Sequence, residues 1–258
     1  MNQVVKLEVR GARGQEYRTV EEERLHRKRR LAASYRIFAQ KGYDLGLAGH
    51  ITARDPEFED RFWVAPIGPW FGHIRVSDLV LVDHDGRILA GEGPINQAGF
   101  MIHSAIHKAR PDVVSAAHSH SIYGKAWSAL GRLLDPISQD ACFFYENHAL
   151  FELFGGIVLD HAEGERIAAA LGQHRAAILQ NHGILTVGKS VDSAVASYIA
   201  MENACQTQLL AEAAGIVKPI AHDVARFTAD QMRGADPGAI GFQPLYDRIL
   251  REQPDFLE

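Results

Sequence analysis

Two short apolar runs, each delivering histidine at its end, constrain this chain more than any other feature. Val113-Val114-Ser115-Ala116-Ala117 leads into His118-Ser119-His120, and Ala176-Ala177-Ile178-Leu179 leads into Gln180-Asn181-His182-Gly183. Runs of this length, apolar and partly β-branched, suit buried strands. Side chains alternate across a strand, so residues two apart share a face, and His118 and His120 aim at one region of space. The glycine after His182 suits a tight turn. A fold that brings the two strand ends together gathers three neutral imidazoles. That donor set suits Zn²⁺, Mn²⁺ or Fe²⁺, with coordination positions left for substrate or water. The plain alternative is two core or surface histidines and an unrelated third. All three lie at strand ends, where catalytic groups gather, and this favours the metal.

Around these runs the pattern alternates between helix and strand. Residues 21–40 read as a helix with an apolar face of Leu25, Leu31, Ala32, Tyr35, Phe38 and Ala39, stopped by Gly42. Its Arg27-Lys28-Arg29-Arg30 run reads as a solvated face. Strands are expected at 49–54, 62–65, 79–83 and 87–90, with a turn at Asp83-His84-Asp85-Gly86. A helix from about 96 to 109 ends at Arg110-Pro111. Residues 123–130 look helical, 135–146 irregular and aromatic, 155–159 a strand and 163–171 a helix. Two strands flank His182 within 176–187, and a long helix at 191–214 closes at Gly215 with Pro219 beyond. Residues 1–20 read as a flexible arm, and 21–258 as one α/β domain with helices on both sides of a mixed sheet and a projecting, partly helical tail.

Composition narrows the partners. Hydrophobic residues make up 47% of the 258 and charged residues 23%, ordinary for a globular protein. A net charge of -5 gives no reason to expect nucleic acid or an anionic membrane. No run approaches the roughly 20 apolar residues of a membrane span. Cys142 and Cys205 make no disulfide framework. A small-molecule substrate and a reducing cytoplasm are the expectation.

The order of motifs then resembles a known family. Asn96-Gln97-Ala98-Gly99-Phe100, His103-Ser104-Ala105-Ile106, Arg110-Pro111-Asp112, His118-Ser119-His120 and Gln180-Asn181-His182-Gly183 together look like the class II aldolase/adducin family, over about residues 29–215. The resemblance implies a single-domain α/β/α sandwich around a mixed, largely antiparallel sheet. It implies a homo-oligomer, usually a tetramer, with active sites at subunit interfaces. It also implies one divalent ion per subunit (Zn, Mn or Fe) on His118, His120 and His182.

The departures from that pattern shape the functional expectation. The sugar-phosphate aldolases of the family carry an acid/base glutamate that falls on Gly99 here. Their phosphate-binding stretches correspond to Gly49-His50 and Pro66-Ile67-Gly68, and isoleucine has no side-chain donor for phosphate. The Trp70-Phe71 pair makes this region more apolar. A flat, apolar substrate with acidic or phenolic oxygens fits better, with Trp70 as stacking surface and His50, Asn96 and Gln97 as donors. Phe143, Phe144 and Tyr145 offer further aromatic surface, although each reads equally well as core, His50 as a loop residue and Asn96 as a helix cap.

Decarboxylation needs no base to begin, only a later proton donor, so loss of the glutamate disables an aldolase more than a decarboxylase. The expectation is a metal-dependent lyase that decarboxylates a small aromatic or hydroxy/keto acid through a metal-stabilised enolate. Asp140, Glu146 and a neighbouring subunit's Tyr246 are the candidate proton donors. An Fe(II) oxygenase on the same histidines, an aldolase acting on a non-phosphorylated substrate and a non-catalytic adducin-like protein are the rivals. His148 is a spare-ligand candidate, and His103 and His107 read as packing or surface residues.

Overall fold

The computed structural model describes residues 19–45, 48–233 and 238–258. The expected arm lies outside the described residues, apart from Thr19, which caps the first helix, and Val20, which begins it. That helix, α1 (Val20–Gln40), starts with a capping box in which Thr19 and Glu22 bond reciprocally at 3.0 and 3.1 Å. Three glutamates in its first turn complement the helix dipole.

Eight strands follow: β1 (His50–Arg54), β2 (Arg61–Val64), β3 (Val80–Asp83), β4 (Ile88–Ala90), β5 (Ser115–Ser119), β6 (His148–Phe151), β7 (Ala176–Leu179) and β8 (Gly183–Gly188). They form one sheet in the order β4-β3-β2-β1-β5-β8-β7-β6. Every pairing is antiparallel except that of β6 with β7. The intervening helices are α2 (Gln97–Ala109), α3 (Ile122–Ser128), α4 (His161–Leu171), α5 (Val191–Ala214), α6 (His222–Arg233) and α7 (Gln243–Glu252). None is long and apolar enough to cross a membrane.

Strand alternation sends each side chain to one of two cores. Ile51, Ala53, Ala117 and Ile184 face a core shared with α1, α3 and α5. Phe62, Ala116, Leu185 and Val187 face a core shared with α2 and α4. This is the expected α/β/α sandwich.

Three expectations need correction. Residues 155–159 form no strand: Leu153, Phe154, Ile157 and Leu159 are exposed, and the edge strand is β6. Gly156, at φ +105°, breaks the extended run, while His148–Phe151 gains a parallel partner in β7. The tail does not project. Phe242, Ile249 and Phe256 are fully buried in the α1/α5 core, and Arg36 bonds both carboxylate oxygens of Asp255 at 2.9 and 2.8 Å. Nor is the basic run of α1 simply solvated. Arg30 is buried and bonds Asp192 at 2.6 Å, with Tyr246 beneath its guanidinium.

Candidate metal centre

His118 is the last-but-one residue of β5, and His120 lies just past its end. His182 lies in the three-residue hairpin loop that joins β7 to β8. Asn181 adopts a left-handed conformation there (φ +59°), and the His182 N–H donates to Leu179 O at 2.9 Å. Gly183 begins β8 so close to the site that a Cβ would lie 3.1 Å from Ser119 O and 3.5 Å from the His118 ring. Because β8 pairs with β5, Ser119 opposite Ile184, the hairpin tip comes to rest over the end of β5.

The three imidazoles converge. One ring nitrogen of each lies within 4.8 Å of the others. Ring centroids are 5.2 Å apart for His118–His120, 4.7 Å for His118–His182 and 4.9 Å for His120–His182. Nitrogens bound tetrahedrally to one ion at about 2.1 Å sit roughly 3.4 Å apart, so modest ring rotation closes the cluster on a cation. His118 is buried while His120 and His182 are half-buried, which leaves one side of the cluster reachable.

Protonation suits the same use. His118 Nδ1–H donates to Ile184 O at 2.9 Å, so Nε2 carries the free lone pair. Burial, reinforced by the neighbouring imidazoles, holds His118 well below the ordinary histidine value. Burial and then His120 bring His182 down to about 4. Burial and then Lys125 lower His120. Neutral imidazole is the form a metal requires. The donor set therefore fits a divalent ion, with three nitrogens and no carboxylate among the gathered ligands.

Two residues of α5 that sequence reasoning passed over hold this end of β5. Tyr198 Oη–H donates to Ser119 O at 2.9 Å and lies 2.8 Å from Ser121 Oγ. Glu202, 3% exposed, accepts from Ser121 Oγ at 2.5 Å, Tyr123 N at 2.9 Å and Gly124 N at 2.7 Å. His120 is thus flanked by anchored neighbours. The signal was a tyrosine and a glutamate four apart, which puts both on one face of the helix.

Beside the imidazoles lies a cleft of about 520 Å³, part of it open solvent, lined by Tyr35, Phe62, Ile67, Phe71, Ile95 and Phe100 among others. His50, Asn96 and Gly99 also line it. His50 stands opposite His118 in the β1–β5 register, with ring centroids 5.1 Å apart. Asn96 caps α2, its Oδ1 accepting from Gly99 N at 3.0 Å. Gln97 is exposed in the first turn of α2. Phe71 lines the cleft where Trp70 was expected. Trp70 is exposed and its indole N–H donates to Asp44.

The proposed proton donors have other surroundings within the chain. Asp140 is exposed ahead of a 3-10 turn (Ala141–Phe144) and makes no capping bond. Glu146 is exposed and paired with Arg226 at 2.7 Å. Tyr246 stacks on Phe242 and lies under Arg30, 4.0 Å from guanidinium to centroid. His148 is no spare ligand. Its Nδ1–H donates to Phe144 O and its Nε2 accepts from Leu134 N. His103 and His107 are buried, and both bond the Thr52 hydroxyl.

The family model for the class II aldolase and adducin N-terminal domain matches residues 29–209. The chain belongs to that family. It is 43% identical, over 92% of its length and 86% of the relative's, to a Streptomyces roseochromogenus subsp. oscitans protein named 4-hydroxy-3-prenylphenylpyruvate oxygenase/4-hydroxy-3-prenylbenzoate synthase. It is also 43% identical, over 92% of its length and 88% of the relative's, to decarboxylase NovR of Streptomyces niveus. Among solved structures it resembles an L-fuculose 1-phosphate aldolase from Glaciozyma antarctica PI12 at 46% identity, covering 95% of this chain and 96% of that one, with a TM-score of 0.87.

Proposed function

We propose that this protein is a divalent-metal-dependent lyase that breaks a carbon–carbon bond by decarboxylating a small aromatic or hydroxy/keto acid. The observation that carries the reading is the three-imidazole cluster beside an apolar cleft, with a glycine where an aldolase needs its glutamate. The names of the two Streptomyces relatives support it. The name of the Glaciozyma structure points instead to a sugar phosphate. Ile67 and Gly99 argue against that substrate here, since neither supplies the polar side chain such chemistry uses.

His118, His120 and His182 would hold the divalent ion (zinc, manganese or iron), which would supply Lewis-acid polarisation of adjacent substrate oxygens. The chain does the rest. The apolar cleft wall takes the substrate's flat body, and Asn96 on that wall, with the adjacent exposed Gln97, offers polar contacts. The exposed face of the cluster admits the acid group. The carbon–carboxylate bond breaks, CO₂ leaves, and the electron pair left on the substrate carbon takes up a proton from Asp140, Glu146 or Tyr246 of a neighbouring subunit. The same reading carries a homo-oligomer, a tetramer on the family's pattern, and a cytoplasmic site of action. The exposed apolar residues Leu153, Phe154, Ile157 and Leu159 support association.

A second reading rests on the absence of a carboxylate from the imidazole group and on the oxygenase half of one relative's name. It makes the protein an Fe(II) oxygenase. One experiment separates the two. Protein loaded with Zn²⁺, Mn²⁺ or Fe²⁺ is offered hydroxyaryl acids and 2-oxo acids, and CO₂ release is followed under nitrogen and under air. Release that proceeds equally under nitrogen supports the lyase. Release that requires oxygen, with matching oxygen uptake, supports the oxygenase. No metal after reconstitution removes both.

A further inference from the structure

His50 is 6% exposed, and neither of its ring nitrogens makes a well-formed hydrogen bond among the described residues, the Gly49 backbone giving it only a weak contact. A buried polar group without a partner is destabilising, and at the wall of a cleft a ligand is able to meet it. The ring is also fixed in place. A Cβ at residue 99 would lie 2.4 Å from its Nδ1 and 2.6 Å from its Cγ and Cε1, so the imidazole fills the space directly over Gly99. On one flank stands the His103 ring, 4.3 Å away centroid to centroid, and on the other the His118 ring at 5.1 Å.

His103 cannot easily give way. Thr52 Oγ1 lies 2.8 Å from His103 Nδ1 and 2.9 Å from His107 Nε2. A hydroxyl carries one proton, so Thr52 donates to one ring and accepts from the other, clamping α2 onto β1. Held among Gly99, His103 and His118, the His50 ring keeps its hydrogen-bonding capacity at the wall of the cleft, beside the imidazole cluster.

We propose that His50 is the residue that hydrogen-bonds an anionic oxygen of the substrate, a carboxylate or phenolate, and that residue 99 is glycine because no side chain there is compatible with the His50 ring. The proposal rests on the metal-centre reading and specifies the substrate of that site. Its chemical content is a change of sign. A carboxylate rooted at residue 99 would repel an acidic substrate at this spot. A neutral imidazole in the same space offers it an N–H donor. The exchange adapts the scaffold to acids.

The test uses zinc-loaded protein and benzohydroxamate, a planar aryl group bearing two adjacent oxygens. Calorimetry gives its Kd, and elemental analysis gives the zinc content of each variant. H50L is expected to raise the Kd at least tenfold with zinc still at one per chain. H50Q, which retains an N–H donor, is expected to recover part of that loss. G99A is expected to weaken binding by displacing the ring, and to add little further loss in an H50L background. An unchanged Kd in H50L overturns the proposal, as does zinc-loaded wild type that fails to bind the probe. Loss of zinc from both H50L and H50Q overturns it in favour of a ligand role for His50. Wild type that holds no zinc overturns the metal centre itself, a failure distinct from the others.

Discussion

On the α1/α5 face of the sheet, buried charge meets an opposite charge or a hydrogen-bond donor. Arg36 reaches Asp255, Arg30 reaches Asp192, and Glu202 accepts three hydrogen bonds. On the α2 face, beside the cleft, His50 has two unmet ring nitrogens and His103 has an unmet Nε2. Similar burial, similar depth and the same sheet thus produce opposite outcomes. The charged groups named on the first face hold the fold together, whereas at the cleft wall His50 and His103 keep unused bonding capacity.

That contrast can be broken most decisively at the imidazoles. His118→Ala is expected to lower metal affinity by more than about 100-fold, beyond what loss of an outer-shell partner costs, and to abolish CO₂ release. Elemental analysis and a CO₂ assay check this. Phe256→Ala, on the other face, is expected to cost about 3–5 kcal/mol in a denaturant titration, the usual range for emptying a core aromatic site. The folded fraction should still bind one metal per chain, and loss of metal would show the faces to be coupled.

Glu202→Leu tests the boundary between them. It strands three buried donors, so a stability loss of about 2–4 kcal/mol is expected. Metal affinity should weaken too, because Ser121, next to His120, loses its anchor.

Acid sharpens the comparison further. Burial lowers His148, on β6 and far from any ligand role, to about 4 in the folded state. The unfolded chain protonates near 6.5, so its stabilising contribution is whole above that pH and is lost as pH falls towards 4. Between pH 7 and pH 5 the loss from His148 is about 2 kcal/mol. Comparing urea midpoints at the two pH values checks it, and the drop should shrink in His148→Gln. The smallest effect is expected for Arg226→Ala. It breaks the exposed pair with Glu146 and should leave the midpoint of a denaturant titration essentially unchanged.

Much of the architecture could be read from the chain because its signals are local. Helix α5 runs from Val191 to Ala214 as the Ser190 cap and Gly215 stop require, and the β7–β8 hairpin follows from two apolar runs around Asn181-His182-Gly183. The convergence of His118, His120 and His182 was legible because strand ends are where a sheet presents side chains together. What escaped depends on distant partners. Gly155-Gly156-Ile157-Val158-Leu159 has strand composition, yet the pairing edge of β7 is taken by His148–Phe151. Amphipathic segments after Pro219 look like a tail until Phe242, Ile249 and Phe256 find the α1/α5 core. The pairing of His50 with Gly99 joins a strand to a helix, and no spacing rule in the sequence reports it.

The hydrogen bond from His118 to Ile184 O spans 66 positions of chain. Between its ends lie α3, β6, α4 and β7, so β5 receives its neighbour β8 only after this whole excursion has returned. Convergence of the three imidazoles is therefore an attribute of the completed sheet, and metal uptake would be a stringent gauge of native topology. A partly assembled chain can present helices to circular dichroism, but it has no way to present this trio.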